Sequence, residues 1–174
     1  MLILPLRQRA VVIAHARRES PREACGVLAG ERQRVRRVYP LHNVATEPAS
    51  RYLADPVEQL RAFHDLEGCG WELLAIYHSH PCSPAWPSPT DLELAYYPEA
   101  RYVIVSLTAE QPEVRCFRVV QGSIVEEELI VPARLAPTSA CRRLSSSTLV
   151  GRPAPEAGPP LVPVTIPVPE PPRR

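Results

Sequence analysis

An apolar run that ends in two histidines constrains the fold of this chain more than any other feature. Residues 71–77 are apolar and rich in aromatic side chains, and His78, Ser79, His80 and Pro81 follow at once. Such a run predicts a buried strand. Side chains at positions i and i+2 of a strand project from the same face. The two imidazoles are therefore expected side by side where the strand ends.

The segment after the histidines predicts a stiff loop and then a short helix. Pro81 ends regular strand pairing, and further prolines follow at positions 84, 87 and 89. Ser88 is placed for a helix N-cap, Pro89 for the first helical residue and Asp91 for the third. The sequence therefore predicts a strand with two histidines, a rigid loop, and a helix whose first turn carries a carboxylate.

The residue types in this run are those of a hydrolytic zinc site. Neutral imidazoles and a carboxylate bind zinc, and three protein ligands leave the fourth tetrahedral position for water. His78, His80 and Asp91 are therefore the predicted ligands of one zinc ion. Taken alone, Ser88-x-x-Asp91 is close to an ordinary capping box, with Asp in the usual Glu position. The two histidines and the Ser-x-x-Asp run occur together, at this spacing and directly after a predicted strand. That combination favours the metal site.

A hydrolytic zinc site also needs a proton-transfer group that is not itself a metal ligand. The predicted group is Glu23, at the mouth of a short apolar strand over residues 24–29 that can run beside the strand ending at His78. Glu19 is the competitor, in a turn where solvation is expected. Local sequence alone favours a simpler interpretation of Glu23 as an exposed charge at the start of a strand, so that alternative stays open.

Together these residues resemble the JAMM (MPN+) metalloprotease domain. The resemblance rests on Glu23 before a Gly-x-Leu-x-Gly strand, then the His-Ser-His-Pro run, then Pro-Ser-x-x-Asp. It implies that His78, His80 and Asp91 bind zinc. It also implies that Glu23 is the general acid/base and that Ser88 helps to hold the oxyanion of the tetrahedral intermediate.

The resemblance covers roughly residues 6–131 and is nearest to the short, stand-alone bacterial members. It implies an α/β (α+β) fold, a single MPN domain of the cytidine-deaminase-like type, with a mixed β-sheet flanked by helices. The family cleaves peptide or isopeptide bonds at the C-terminus of ubiquitin-like proteins. Some bacterial members remove an amino acid such as cysteine from the C-terminal glycine of a sulfur-carrier protein. The expected partner is thus a ubiquitin-like or sulfur-carrier protein.

Two other functions remain open at this point. A non-catalytic MPN scaffold binds a partner through the same fold, but such scaffolds usually lack the metal residues that are intact here. A RadC-type domain shares the H-x-H-P…P-S-x-x-D pattern. The sequence around Glu23 and the lack of an appended DNA-binding module make that alternative weaker.

Length and composition predict one catalytic domain followed by a tail. A chain of 174 residues is long enough for one hydrophobic core and little more. We predict the catalytic domain over residues 1–131 and a proline-rich, extended or disordered tail over residues 132–174, which holds half of the chain's 22 prolines. An alternative for the apolar part of this tail, residues 161–168, is docking on a groove or a neighbouring molecule.

Within the domain, the pattern predicts two main helices and several strands. One helix is expected over residues 7–18. The other begins at Pro56 after the cap residue Asp55, with Glu58 completing a capping box and with Gly68 or Gly70 at its end. Its expected buried stripe is Val57, Leu60, Ala62, Phe63 and Leu66. Strands are expected near residues 24–29, 35–41, 101–107, 113–120 and 123–131.

Charge and hydropathy exclude some classes of partner. The formal net charge is +1 with no dense basic patch, so nucleic acid is not an expected partner. No apolar run reaches the roughly 18 residues that a membrane span requires, and the N-terminus is too short for a signal peptide. We therefore expect a cytoplasmic protein without a membrane partner. A homodimer is compatible with the sequence, which does not determine the oligomeric state.

Two further residues of the histidine loop are candidates for substrate contact or regulation. Trp86 is expected either to wall the substrate channel or to pack. Cys82 follows the second histidine by two residues, where a thiolate can approach the fourth zinc position and silence the enzyme; ordinary loop packing is the alternative. Five cysteines do not indicate a disulfide framework. The expected small buried hydrophobes are Cys25, Cys69 and Cys116.

Overall fold

The computed structural model describes residues 1–132, and the predicted tail from residue 133 onward lies outside the described residues. The domain boundary at residue 131 and the character of the tail therefore remain predictions. In chain order the elements are β1 (Leu2–Ile3), α1 (Leu6–Glu19), β2 (Cys25–Glu31), β3 (Arg34–Leu41), α2 (Pro56–Gly68), β4 (Glu72–His80), α3 (Pro89–Glu93), β5 (Arg101–Ser106), β6 (Glu113–Val120), β7 (Ser123–Glu127) and β8 (Leu129–Ile130).

The described strands form one mixed sheet in the order β7-β6-β5-β4-β2-β3-β1-β8. Near its centre, β4 is antiparallel to β2 and parallel to β5. In this register Cys25 of β2 and Ile104 of β5 are the partners of His78. The histidine end of β4 is therefore held on both sides by neighbouring strands. The predicted mixed sheet is confirmed, and β1 is a strand that the sequence pattern does not predict.

Helices α1 and α2 cover opposite faces of the sheet. Alternate side chains of a strand point to opposite faces, and neighbouring residues of β4 pack against different helices. Tyr77 of β4 belongs to the apolar cluster that includes Val12 and Ala16 of α1. Its neighbour Ile76 belongs to the cluster that includes Phe63 of α2. Since His78 and His80 alternate in step with Ile76, both project toward the α2 side of the sheet.

The α2 helix is present as predicted, but its buried face and its cap differ from the prediction. The buried residues are Gln59, Ala62, Phe63 and Leu66, whereas Val57 and Leu60 are 55 % and 39 % exposed. At 100° per residue, positions 57 and 60 lie on the opposite side of the helix from positions 62 and 66, so one helix face cannot bury all of them. The predicted stripe was too wide.

The cap of α2 uses one of the two predicted side chains. Asp55 accepts hydrogen bonds of 2.9 Å from the backbone N–H groups of Val57 and Glu58, as an N-cap should. The Glu58 carboxylate instead accepts from the backbone N–H of His42 at 2.7 Å. The backbone N–H of Asp55 donates to the carbonyl of His42 at 2.9 Å. The predicted capping box at Glu58 is therefore wrong. The Glu58 carboxylate and the Asp55 backbone N–H both bond to His42 in the preceding loop instead of to each other.

The cysteines separate into two kinds. Cys25 and Cys116 are free and buried, as expected, and burial raises the pKa of each thiol to about 12. Cys69, at the C-cap of α2, is half-buried and disulfide-bonded, so the expectation of a small buried hydrophobe is wrong there.

Across residues 1–132, none of the helices is both long enough and apolar enough to cross a bilayer.

Candidate metal centre and active site

The two histidines at the end of β4 lie together, as the strand geometry predicts. His78 is fully buried and His80 is 5 % exposed. Their Nε2 atoms lie 3.1 Å apart. Each imidazole therefore presents the same nitrogen to the same small volume at the edge of the core.

Asp91 completes the group from the first turn of α3. Its Oδ1 lies 3.3 Å from Nε2 of His78, and its Oδ2 lies 3.6 Å from Nε2 of His80. Burial acts to raise the pKa of Asp91. The neighbouring imidazoles, His78 foremost, and the hydrogen bond from Ser88 outweigh burial and hold that pKa far below its usual range. Asp91 is therefore an ionised, partly buried carboxylate beside two imidazoles.

The geometry contains the capping box of Ser88 and Asp91, and the same geometry leaves Asp91 placed to act as a metal ligand. Ser88 Oγ accepts from the backbone N–H of Asp91 at 3.2 Å, and Asp91 Oδ2 accepts from the Ser88 backbone N–H and hydroxyl at 2.7 Å each. These bonds fix the rotamer of Asp91. The cap therefore aims the carboxylate at the histidines rather than competing with that role.

The donor set of His78, His80 and Asp91 fits a zinc ion. One ligand atom from each residue lies within 4.8 Å of the other two. Ligand atoms about 2.0–2.1 Å from a tetrahedral zinc ion are roughly 3.3 Å from one another. The 3.1, 3.3 and 3.6 Å separations of the nitrogens and carboxylate oxygens cluster around that value. Little side-chain movement is needed to hold the ion.

The two imidazoles differ in the residues that hold them in place. Nδ1 of His80 lies 2.8 Å from the carbonyl oxygen of Pro84, which fixes the tautomer that leaves Nε2 free to bind a metal. His78 stacks on the ring of Tyr52, with centroids 4.6 Å apart and an interplanar angle of 19°. Among the described residues its Nδ1 has no hydrogen-bond partner. Tyr52 lies within the part of the sequence that carries the family resemblance, but no role was predicted for it.

Glu23 lies just before β2, beside the cluster. It is 6 % exposed, so the alternative of an exposed charge is wrong. Burial raises the pKa of Glu23, while the nearby His78 and His80 act to lower it and Asp91 to raise it. The competitor Glu19 instead pairs with Arg18 on α1, at 3.3 Å. The structure thus brings Glu23, and not Glu19, to the predicted ligands.

The next residue along, Ala24, is tied to the strand that carries the histidines. Its backbone N–H donates to Ser79 Oγ at 2.8 Å, and its carbonyl accepts from the Ser79 backbone N–H at 2.9 Å. Ser79 points away from the cluster, between the two histidines in sequence. Its place in His-Ser-His is the only sequence signal for this role, which was not predicted from the sequence.

Trp86 and Cys82 lie outside the three-residue cluster. Trp86 is 47 % exposed and packs edge to face on Phe117, with centroids 5.3 Å apart. The Arg115 guanidinium lies 5.1 Å from the centroid of the Trp86 ring. Trp86 therefore packs on one side and stays open on the other. Cys82 is exposed and free, so its role as a regulatory thiol remains a prediction.

The sequence around these residues matches a known family. Residues 5–120 match the family described as "Prokaryotic homologs of the JAB domain". This chain belongs to that family. The match spans Glu23, both histidines and Asp91, and the predicted resemblance to a small bacterial JAMM (MPN+) domain is confirmed.

Several JAB-domain relatives have names that describe peptidases. The "CysO-cysteine peptidase" of Mycobacterium tuberculosis is 42% identical over 123 residues, which are 69% of this chain and 84% of that protein. The "Probable TtuB-protein conjugate cleaving protease" of Thermus thermophilus is 46% identical over 112 residues, 64% of this chain and 72% of that protein. These relatives support the prediction of an enzyme over that of a scaffold.

Solved structures confirm the JAB-domain fold. A protein of Desulfitobacterium hafniense, studied in solution, is 40% identical with a TM-score of 0.71, covering 78% of this chain and 95% of that one. The crystal structure of a JAB1/MPN domain protein from Archaeoglobus fulgidus is 21% identical with a TM-score of 0.51. That match covers 75% of this chain and 99% of the other, and supports the fold alone.

Proposed function

We propose that this protein is a zinc peptidase that hydrolyses the bond after the C-terminal glycine of a ubiquitin-like or sulfur-carrier protein. The observation that carries the proposal is the cluster of His78, His80 and Asp91 with the buried Glu23 beside it. It occurs in a chain 42% identical to a protein named CysO-cysteine peptidase. The partner is thus a small protein with an exposed C-terminal tail.

His78, His80 and Asp91 hold the zinc ion in this proposal. A zinc ion in such a site lowers the pKa of water to about 7 and polarises the carbonyl of the bond that is cleaved. The protein's part is to fix the ligands. The Pro84 carbonyl orients His80, the Tyr52 ring orients His78, and the α3 cap orients Asp91.

Glu23 moves the proton in this proposal. It takes a proton from the attacking water and delivers it to the departing amine, which must leave as a neutral amine. A proton carrier works best when its pKa lies near the working pH, and burial raises the pKa of Glu23 in that direction. Because Glu23 is not in the ligand cluster, its loss removes proton transfer without removing a metal ligand.

Ser88 has two roles in this proposal. Its hydroxyl donates to Asp91 Oδ2 at 2.7 Å and so positions a ligand. During the reaction the same hydroxyl reorients to donate to the oxyanion of the substrate. Ser88→Ala removes both contributions, and Ser88→Thr restores the hydroxyl. Recovery of the turnover number in the threonine variant supports the hydroxyl's role.

The experiment that tests the proposed function is a mass-spectrometric competition on zinc-loaded protein. One substrate is a carrier protein of the ubiquitin-like fold with a C-terminal cysteine after its glycine. The other is the same carrier joined through that glycine to a lysine ε-amine. Release of cysteine alone assigns an amino-acid-releasing peptidase, and cleavage of the lysine bond assigns a deconjugating one.

The control is Glu23→Gln, which keeps the size and polarity of the side chain. It should bind zinc as the wild type does and release neither product. If zinc-loaded wild-type protein releases neither product, the peptidase proposal is wrong and a partner-binding scaffold takes its place.

A further inference from the structure

The backbone at Glu23 is held by a side chain that belongs to no strand or helix. Glu23 itself lies in the connection between α1 and β2, outside the regular sheet ladder. Its backbone N–H donates to the carbonyl of Pro48 at 2.6 Å. Its backbone carbonyl accepts from Nδ2 of Asn43 at 2.8 Å. A proton carrier must be fixed to a fraction of an ångström, so these two bonds matter to the reaction.

Every hydrogen-bond donor and acceptor of the Asn43 side chain has a partner. It is 2 % exposed. Its Nδ2 donates to the carbonyls of Glu23 and Arg51, at 2.8 and 2.9 Å, and Pro48 O lies at 3.4 Å. Its Oδ1 accepts from the backbone N–H groups of Ala45 and Leu53, both at 3.0 Å. The two amide hydrogens and both lone pairs of the oxygen all have partners.

These bonds join the base to the loop that supports a metal ligand. The loop of residues 44–53 carries Tyr52, whose ring stacks on His78. Asn43 bonds to Arg51 and Leu53 on either side of that tyrosine, and to Glu23 in the opposite direction. One buried amide therefore sets the distance between the proton carrier and the support of His78.

We propose that Asn43 is a positioning residue that fixes Glu23 relative to the ligand cluster and so sets the turnover number. The proposal rests on the proposed function, because Glu23 is the proton carrier there. Only a group that both donates and accepts serves this position. A carboxylate of the same size accepts from Ala45 and Leu53 but repels the carbonyl of Glu23. A carbonyl left without a donor in a buried place disturbs the backbone that carries the base.

The test is Asn43→Asp, which keeps the size of the side chain and removes the donor. We expect a kcat lower by roughly 10- to 100-fold, with KM and the zinc content of the protein close to those of the wild type. The matched control is Gln8→Glu, the same change at a buried amide on α1 that donates to the carbonyl of Arg36 at 3.1 Å. It should lower the melting temperature and leave kcat unchanged.

A double-mutant cycle separates positioning from general damage. In the Glu23→Gln background, Asn43→Asp should lower the remaining rate by less than about 2-fold, because it acts through Glu23. A full further 10-fold loss in that background overturns the proposal, as does a loss confined to KM or to zinc content. If Asn43→Asp does not fold, Asn43→Ser, which keeps one donor, replaces it in the same cycle.

Amide hydrogen exchange gives a second readout that does not depend on turnover. In Asn43→Asp, the amides of Glu23 and of residues 45–53 should exchange at least about 10-fold faster, with β4 and β5 unchanged. In Gln8→Glu they should not. Unchanged exchange at Glu23 overturns the proposal. If wild-type protein cleaves no carrier substrate, the proposed function fails, and the exchange result still decides whether Asn43 holds Glu23 in place.

Discussion

Two histidine–tyrosine pairs lie on opposite faces of β4, and they differ in what each imidazole has left to bind. On the α1 face, Nδ1 of His15 lies 2.8 Å from the Tyr77 hydroxyl, and the rings meet edge to face at 79°. On the α2 face, His78 stacks nearly parallel on Tyr52. Both histidines are buried, at 3 % and 0 % exposed. Burial therefore does not distinguish His15 from His78.

The difference lies in how each tyrosine meets its histidine. An edge contact through the hydroxyl uses one imidazole nitrogen, and Glu19 lies 3.7 Å from the other nitrogen of His15. A stacked contact positions the ring through its face and leaves the nitrogens free. Nε2 of His78 can then face His80 and Asp91. The same two residue types make a structural pair on one face and part of the proposed metal centre on the other.

The largest expected effect comes from removing one of the proposed zinc-binding imidazoles on the α2 face. His80→Ala should lower bound zinc from about one ion per chain to a small fraction, and lower the turnover number by at least about 1,000-fold. Metal analysis by mass spectrometry and a carrier-cleavage assay measure these. His15→Gln is the control on the α1 face and should retain zinc. Loss of zinc from both variants would remove the contrast between the faces.

The second effect concerns proton transfer without metal loss. Glu23→Gln should keep full zinc content and lower kcat by about 100- to 10,000-fold, since it removes the proposed proton carrier alone. Glu19→Gln, the matched change on α1, should lower kcat by less than about 2-fold. A near-native kcat in Glu23→Gln would place the proton carrier elsewhere.

The third effect isolates the stacked ring. Tyr52→Leu should weaken zinc binding by about 10-fold, because the His78 ring loses the surface that orients it. Tyr52→Phe keeps that surface and should bind zinc as the wild type does. Competition with a chromophoric chelator measures both affinities. Equal weakening in the two variants would mean that the hydroxyl, and not the ring face, is the important part of Tyr52.

The fourth effect tests the structural pair. Tyr77→Phe removes the hydroxyl that bonds His15 and should lower the free energy of unfolding by about 1 kcal/mol, without changing zinc affinity. Urea denaturation of the zinc-loaded protein measures the first, and the chelator assay the second. A change in zinc affinity here would show that the two faces are coupled through β4.

The smallest effect is a dependence of stability on pH. Burial lowers the pKa of His15 from 6.5, with Arg18 adding to the effect. The unfolded chain therefore binds a proton at this site before the folded protein does, and stability falls as pH drops below about 6.5. His15→Gln should show a shallower fall between pH 7.0 and 5.5 than wild type. An equal slope would mean that His15 does not contribute.

The part of the site that is local in sequence was predictable. A strand with period two places His78 and His80 together, and Ser-Pro-x-Asp starts a helix with Asp91 in its first turn. Only ten residues, stiffened by prolines, lie between His80 and Asp91. The bounds of most strands also followed, because apolar runs and turn residues alternate clearly along residues 24–41 and 101–131.

The part that depends on distant contacts was not predictable from local pattern. Tyr52 reaches His78 across 26 positions, and Asn43 reaches Glu23 across 20. Nothing near either residue in sequence indicates these partners. The error on α2 has a related origin. Val57 and Leu60 are apolar, but only the packing of the helix on the sheet decides which apolar side chains face inward.

The pairing of Cys25 with His78 has a consequence for how such chains vary in length. Glu23 is two residues from one member of this pair, and His80 is two residues from the other. Adding one residue between Glu23 and Cys25 moves Glu23 along the chain by about 3.3 Å, away from the Pro48 and Asn43 bonds that hold its backbone. Insertions at the β6–β7 turn change neither spacing. Loops far from this pair are free to lengthen, while the two short spacers beside it are not.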